Sequence, residues 1–301
     1  MSEATTAAFA SLETLLEERH RSVEDALREQ APRSETPELL DALNACLFAP
    51  GQRLRPILAL LVADVLGGDA RSVLPAACAI EMVHAASLIL DDLPAIDAAR
   101  ERRGRLACHV AFGETNAILT AFALLNRSFE VLATGWSGGP EALVRCEIAA
   151  DLARAVGPEG MLGGLARELS SIERPIDLAT LEGVHSRRTG ALFTAAAALG
   201  ARAAGAAPWA QRAVTSYAMN LGLAHQVVDD VLDATAAADE TTKDANQDLG
   251  MTSFVSLAGI EGARQLATEL IAASQESLRA FGPAAQPLRD LARYVLARRR
   301  E

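Results

Sequence analysis

Apolar residues recur at three- and four-residue spacing along almost the whole chain, and no stretch sustains the alternation of a half-buried strand. The pattern predicts helices at 5–30, 37–48, 53–67, 73–92, 115–135, 140–156, 159–171, 178–203, 208–236, 253–280 and 285–299. Breaks fall at Pro32 to Pro37, Gly67-Gly68, Gly135 to Pro140, Gly157-Pro158, Gly205 to Pro208 and Gly282-Pro283, where turn chemistry stops a helix. No break is long or polar enough to be an interdomain linker, so the expectation is one all-α domain over residues 1–301.

Composition agrees: 50% of the residues are hydrophobic and only 4% aromatic, with alanine and leucine dominant. The net charge of −11 argues against a nucleic-acid surface, and it obliges any polyanionic ligand to rely on local arginines and a cation. Cys46, Cys78, Cys108 and Cys146 lack metal-ligand spacing and read as buried free thiols of a reducing compartment. Met1 to Ala10 has no basic-then-apolar signal pattern, and the run Ile57 to Leu66 is too short to span a bilayer and contains Asp64. These features predict a soluble, cytoplasmic protein without a transmembrane segment.

Two acidic clusters grow out of apolar helices: Asp91-Asp92-Leu93-Pro94-Ala95-Ile96-Asp97 and Asp229-Asp230-Val231-Leu232-Asp233. Carboxylates crowded in apolar surroundings need a counter-charge, and an oxygen-seeking divalent cation is the usual one. Gln226, Asp229, Asp230 and Asp233 fall on one helical stripe, and His84, Leu88 and Asp91 share another. Pro94 loosens the end of the first cluster so that Asp97 can turn back. Facing stripes of this kind would enclose Mg2+ and a phosphate-bearing ligand; either cluster alone would equally suit a solvated helix end.

An irregular stretch follows each cluster. Residues 98–114 carry Arg100, Arg102, Arg103, Arg105 and His109, and residues 236–252 carry Lys243, Asp244, Gln247 and Asp248. Loops of this length tend to be functional lids, and arginine forks match phosphate oxygens bidentately. Gln52-Arg53-Leu54-Arg55-Pro56 places two arginines ahead of an apolar helix, and Arg187-Arg188-Thr189-Gly190 opens an alanine-rich stretch to Ala203. Those small side chains would either leave the bundle's centre open for a long apolar ligand or allow close helix packing.

With these segments in place, the chain resembles the trans-isoprenyl diphosphate synthases. The resemblance is most specific in Glu81 to Pro94, Arg102 to Arg105 and Gln226 to Asp233, while Lys243-Asp244-Ala245-Asn246-Gln247-Asp248 is similar to bacterial geranylgeranyl diphosphate synthases. It implies a single-domain helical bundle of the isoprenoid synthase type with a central apolar cavity, and a homodimer. Asp91, Asp92, Asp97, Asp229, Asp230 and Asp233 match the family's Mg2+ ligands. Arg102, Thr189, Gln226 and Lys243 match positions that contact an allylic diphosphate or steady its cation, and Arg188 stands beside them. Arg55, His84 and Arg103 match the site for isopentenyl diphosphate, the second substrate. Chain length is assigned to Ala86, five positions before Asp91, with Ser87, and to Phe122 and Leu125 or a dimer neighbour as a deeper stop. Alanine at 86 leaves the floor open and implies a geranylgeranyl product.

The chain departs from the family pattern at several of these places. Gln52 replaces a lysine of the isopentenyl diphosphate site, Leu165 a glutamine, Glu168 an aspartate, Arg188 a lysine and Met251 another lysine. Losing the charge at Gln52 is expected to weaken diphosphate binding about ten- to a hundredfold. Three activities follow from that thinning: a chain-elongating synthase, a derived lyase or cyclase acting on one prenyl diphosphate, and a non-catalytic subunit. The intact carboxylates disfavour the last.

Overall fold

The computed structural model describes residues 3–172, 174–239 and 252–298. Within them the chain is helical almost throughout, as its periodicity predicts. The centre is made by α3 (Leu54–Val65), α4 (Leu74–Asp91) and α10 (Gly190–Ala203), which pack on one another. Every residue of α4 from Pro75 to Val83 is buried. A helix apolar on all sides needs neighbours on all sides. Here they are α1 (Glu3–Gln30), α3, α6 (Glu114–Thr134) and α10.

The alanine-rich stretch closes the centre rather than opening it. Ala195, Ala196, Ala197, Leu199 and Ala201 are buried against the core, and a Cβ on Gly200 would lie 2.3 Å from the Ala59 carbonyl oxygen. Close approach of two helix backbones requires such small residues, so the packing alternative holds and the ligand space lies elsewhere.

A second apolar cluster joins α9 (Leu178–Arg188), α11 (Pro208–Asp239) and α12 (Phe254–Ser277) through Leu181, Leu223, Val227, Val228, Val231 and Phe254. On α11 the valines face this cluster while Gln226, Asp229, Asp230 and Asp233 face a cavity. One amphipathic helix thus supplies both a wall and its chemistry.

Two predicted boundaries change. The helix expected over 178–203 breaks at Thr189-Gly190 into α9 and α10, because glycine weakens the helix where Arg188 and Thr189 must enter the cavity. The stretch expected to be structureless, 98–114, contains an antiparallel hairpin of β1 (Glu101–Arg102) and β2 (Arg105–Leu106), then the short α5 (Cys108–Phe112). Its two-residue turn, Arg103-Gly104, has φ of 53° and 70°. Positive φ at both central residues is what a tight hairpin turn demands, which accounts for Gly104. The expected 236–252 loop falls largely outside the described residues.

Ala70–Asp91 and Glu114–Thr134 are long and apolar enough to cross a membrane by length and composition, which the sequence reading of Ile57 to Leu66 overlooked. The first is 72% buried as a core helix of the bundle, and the second packs along it. The four cysteines are free thiols, as expected, but only Cys78 and Cys108 are buried; Cys46 is half-buried and Cys146 is exposed on the outer helix that carries it.

Candidate active site

A cavity of about 1090 Å³ opens between the C-terminal half of α4, the break between α9 and α10, and the stripe of α11. Its wall is mixed rather than apolar: Leu88, Leu162, Leu165 and Leu192 share it with carboxylates and guanidinium groups.

On one side stand the aspartates. Asp91 ends α4, and the Asp97 amide donates to the Asp91 carbonyl at 3.0 Å, so the chain does turn back after Pro94. Across from it, the Gln226 amide donates to Asp230 Oδ1 at 2.9 Å and accepts from the Thr189 hydroxyl at 2.8 Å. Asp230 Oδ2 also accepts from the Phe254 amide at 2.8 Å, at the N-terminus of α12, where backbone donors favour an anion. Burial nonetheless pushes Asp91 up, and it pushes Asp230 up to about 6. In both the cost of burial outweighs the groups that favour the charged form.

Arginines stand among these carboxylates. Arg188 pairs with Glu168 and lies 3.6 Å from Asp91 and 3.8 Å from Asp97. The contact with Glu168 depends on Gly164, whose Cβ would meet the Arg188 backbone nitrogen at 2.5 Å. Arg298, from just past α13 (Gln286–Ala297), donates to Asp229 Oδ1 at 2.9 Å. Its Nη1 lies 2.8 Å from His225 Nε2; arginine only donates, so that nitrogen accepts, leaving the proton on Nδ1, 3.0 Å from Asp229 Oδ2. Burial alone would raise Asp229, but His225, Arg298 and Arg55 together hold it below the usual carboxylate range.

In the same cavity Arg55 Nη1 lies 3.2 Å from His84 Nε2, and the Arg55 guanidinium stacks 4.6 Å over the Phe193 ring. Burial, then the charge of Arg55, drives the His84 pKa well down, so His84 is neutral and accepts from Arg55. Burial likewise lowers Arg55 to about 10, with Glu81 the largest opposing charge. Arg103, on the hairpin turn, donates to the Pro50 carbonyl at 2.8 Å. Gln52 lines the same region.

Most residues singled out in the sequence therefore meet in this cavity: Gln52, Arg55, His84, Ser87 and Arg103, and also Arg102, Arg188, Thr189 and Gln226. Asp91, Asp97, Asp229, Asp230 and Asp233 complete it. Three do not join them. Asp92 is 3% exposed, turned off the cavity wall and engaged by Arg102, whose Nε donates to it at 2.9 Å. Ala86 is buried in the core beside the wall, and Phe122 is 65% exposed on α6. Lys243 lies outside the described residues. Sequence reasoning missed His225, Glu81 and Arg298. A buried histidine and glutamate on otherwise apolar helices were visible signals; the return of Arg298 to α11 was not.

Residues 36–280 match the model of the polyprenyl synthetase family. A dimethylallyltranstransferase of Fischerella ambigua is 38% identical over 97% of this chain and 85% of its own length. A geranylgeranyl diphosphate synthase of Cyanophora paradoxa is 38% identical over 96% and 97%. Among solved structures, an FPP/GFPP synthase from Zymomonas mobilis superposes with a TM-score of 0.85 at 33% identity, covering 96% of this chain and 99% of that one. With the helical bundle and its cavity of acidic and basic side chains already in view, these likenesses show that the chain belongs to the polyprenyl synthetase family and is a trans-prenyltransferase.

Proposed function

We propose that the protein condenses an allylic diphosphate with isopentenyl diphosphate and releases a geranylgeranyl-length product. The observation that carries this is a single cavity lined both by aspartates of α4 and α11 and by the basic group of Arg55, His84 and Arg103. Two anionic headgroups can be held at once, with leucines between them for the prenyl chain.

The oxygen-only donor set of Asp91, Asp97, Asp229, Asp230 and Asp233 suits a hard cation. Among the described residues no three carboxylates are gathered into a formed metal site. When bound there, Mg2+ would draw charge onto the departing diphosphate as the allylic C–O bond ionises. Arg102 and Arg188 add fixed positive charge on the same side, and Thr189 orients Gln226 toward the reacting end. Arg55, neutral His84 and Arg103 hold isopentenyl diphosphate so that its alkene meets the cation. Leu88, Leu165 and Leu192 keep water from that cation. The released diphosphate is the base for the final proton, so no side chain has to be the nucleophile. Asp92 serves this scheme by holding Arg102 rather than as a cation ligand.

Ser87 is the α4 side chain nearest Ala86 that reaches the wall, and together they set the floor. Ala86→Phe should shorten the longest product to farnesyl length, as read by chromatography of the dephosphorylated products. Phe122, with exposed Ile118 and Leu119, gives α6 an outward apolar face, which supports the homodimer. The free cysteines support a cytoplasmic location, and the whole chain is proposed as one catalytic domain.

A second activity, elimination or cyclisation of a single prenyl diphosphate, is favoured by one observation: neutral Gln52 at the basic end of the cavity. Purified protein with Mg2+ and dimethylallyl, geranyl, farnesyl or geranylgeranyl diphosphate, each with and without isopentenyl diphosphate, separates the two. Elongated diphosphates that require isopentenyl diphosphate support the synthase. Hydrocarbons or alcohols from one substrate alone would replace it with the lyase.

A further inference from the structure

Between α2 (Pro37–Leu47) and α3 runs the short loop that carries Gln52 and leads into Arg55. Its backbone turns at Arg53, a non-glycine residue with φ of 51° at the N-cap of α3. A left-handed arginine persists only where its surroundings hold it. Here the side chain, 3% exposed, uses its whole fork. Nε donates to Glu24 Oε1 at 2.8 Å, Nη1 to Glu81 Oε1 at 2.6 Å, and Nη2 to the carbonyls of Leu47 and Ala49 at 2.9 and 3.1 Å. Arg53 therefore ties α1, the end of α2 and α4 to the loop.

The loop is gripped from outside as well. His20 Nε2 lies 3.1 Å from the Gly51 carbonyl, and Arg103 on the hairpin turn donates to the Pro50 carbonyl. A Cβ on Gly51 would meet Arg103 Nη1 at 2.4 Å, so the loop and the hairpin are built to fit one another. Glu81 has a second part in this. Its Oε1 takes Arg53, while its Oε2 is buried with no hydrogen-bond partner in the wall of the cavity. It is also the leading negative charge set against the cost of burying the cationic Arg55 and Arg103.

We propose that Arg53, clamped between Glu24 and Glu81, is a positioning residue for the second diphosphate. It holds the loop so that Gln52, Arg55 and Arg103 converge on one anion, with Glu81 as the counter-charge that lets three arginines crowd there. The inference rests on the condensation proposed above. It assigns a role to three residues that do not themselves touch the allylic substrate, and it predicts that their loss is felt by one substrate only.

The test compares wild type, Arg53→Lys, which keeps the charge but loses the fork, and Glu81→Gln, which keeps the shape but loses the charge. Steady-state kinetics with each substrate varied are joined by calorimetric titration with isopentenyl diphosphate alone. The expected result is a rise of about tenfold or more in KM and Kd for isopentenyl diphosphate, with kcat and the allylic KM within about twofold. Equal rises in both KM values, or a fall in kcat alone, would make the triad a general structural element and overturn the inference. So would unchanged affinity in both variants. If either variant fails to fold, Glu24→Gln, at the more exposed edge of the clamp, must show the same selective shift. A wild type that binds isopentenyl diphosphate without condensing it defeats the proposed reaction, and the calorimetric shift still decides the role of Arg53.

Discussion

Arg53 and Arg188 are both arginines wedged among carboxylates, yet their surroundings differ in kind. Arg53 has a side chain 3% exposed, with each guanidinium nitrogen engaged at 2.6–3.1 Å. Arg188 has a side chain 20% exposed, one close partner in Glu168, and only long contacts of 3.6 and 3.8 Å to Asp91 and Asp97. Truncating a fully paired buried ion leaves its partners stranded, so that arrangement is rigid. A charge held at longer range and open to water gives up its partners readily. The basic end of the cavity is therefore pre-shaped, whereas the acidic end carries arginines where further positive charge can still be taken up.

The contrast is most directly broken at the acidic end. Asp229→Asn removes a carboxylate that Arg298 and His225 share, and kcat should fall by about 10²–10³-fold with the isopentenyl diphosphate KM little changed. Steady-state assays with Mg2+ in excess check this; a loss confined to KM would place Asp229 in the wrong half of the reaction. At the basic end the expected effect is smaller and of opposite sign. Gln52→Lys adds a cation to a loop already held by Arg53, so KM for isopentenyl diphosphate should drop about tenfold, equivalent to about 1.4 kcal/mol, with kcat unchanged. A protein that acts on a single prenyl diphosphate would be indifferent to that change.

The acidic end was also the more legible in sequence. Aspartates at helical spacing on an apolar helix are too costly to bury without a cation to meet them, and the stripe of Gln226, Asp229, Asp230 and Asp233 faces the cavity as the spacing requires. Helix positions were legible for a related reason, since burial imposes the period. What stayed hidden depends on contacts distant along the chain. Asp92 looks identical to Asp91 in sequence, and only the hairpin that brings Arg102 to it turns it away. The hairpin itself has two-residue strands, too short to show alternation. Arg53 looks like one more phosphate-binding arginine beside Arg55. Its removal from that role comes from Glu24 and Glu81, 29 and 28 residues away. Ala86 lies one position off the wall, buried in the core, so the length control proposed for it would have to act through the packing of α4.

Arg298 tests the contrast at its finest. If the arginines of the acidic end are displaceable, a divalent cation arriving at Asp229 competes with the Arg298 guanidinium, which holds Oδ1 at 2.9 Å. Arg298→Gln removes that competitor while leaving the carboxylate and His225 in place. The pair is partly open to solvent, with side chains 16% and 33% exposed, so its worth is at most about 1 kcal/mol. The apparent Mg2+ affinity should therefore rise by roughly two- to fivefold, read as a lower midpoint both in activity and in the thermal stabilisation of the protein by Mg2+. Without Mg2+ the variant should unfold slightly earlier than wild type, because Asp229 loses a favourable charge; with saturating Mg2+ the difference should vanish. A midpoint that rises instead would mean that Arg298 supports the bound state of the site, and the acidic end would then be as firmly built as the loop around Arg53.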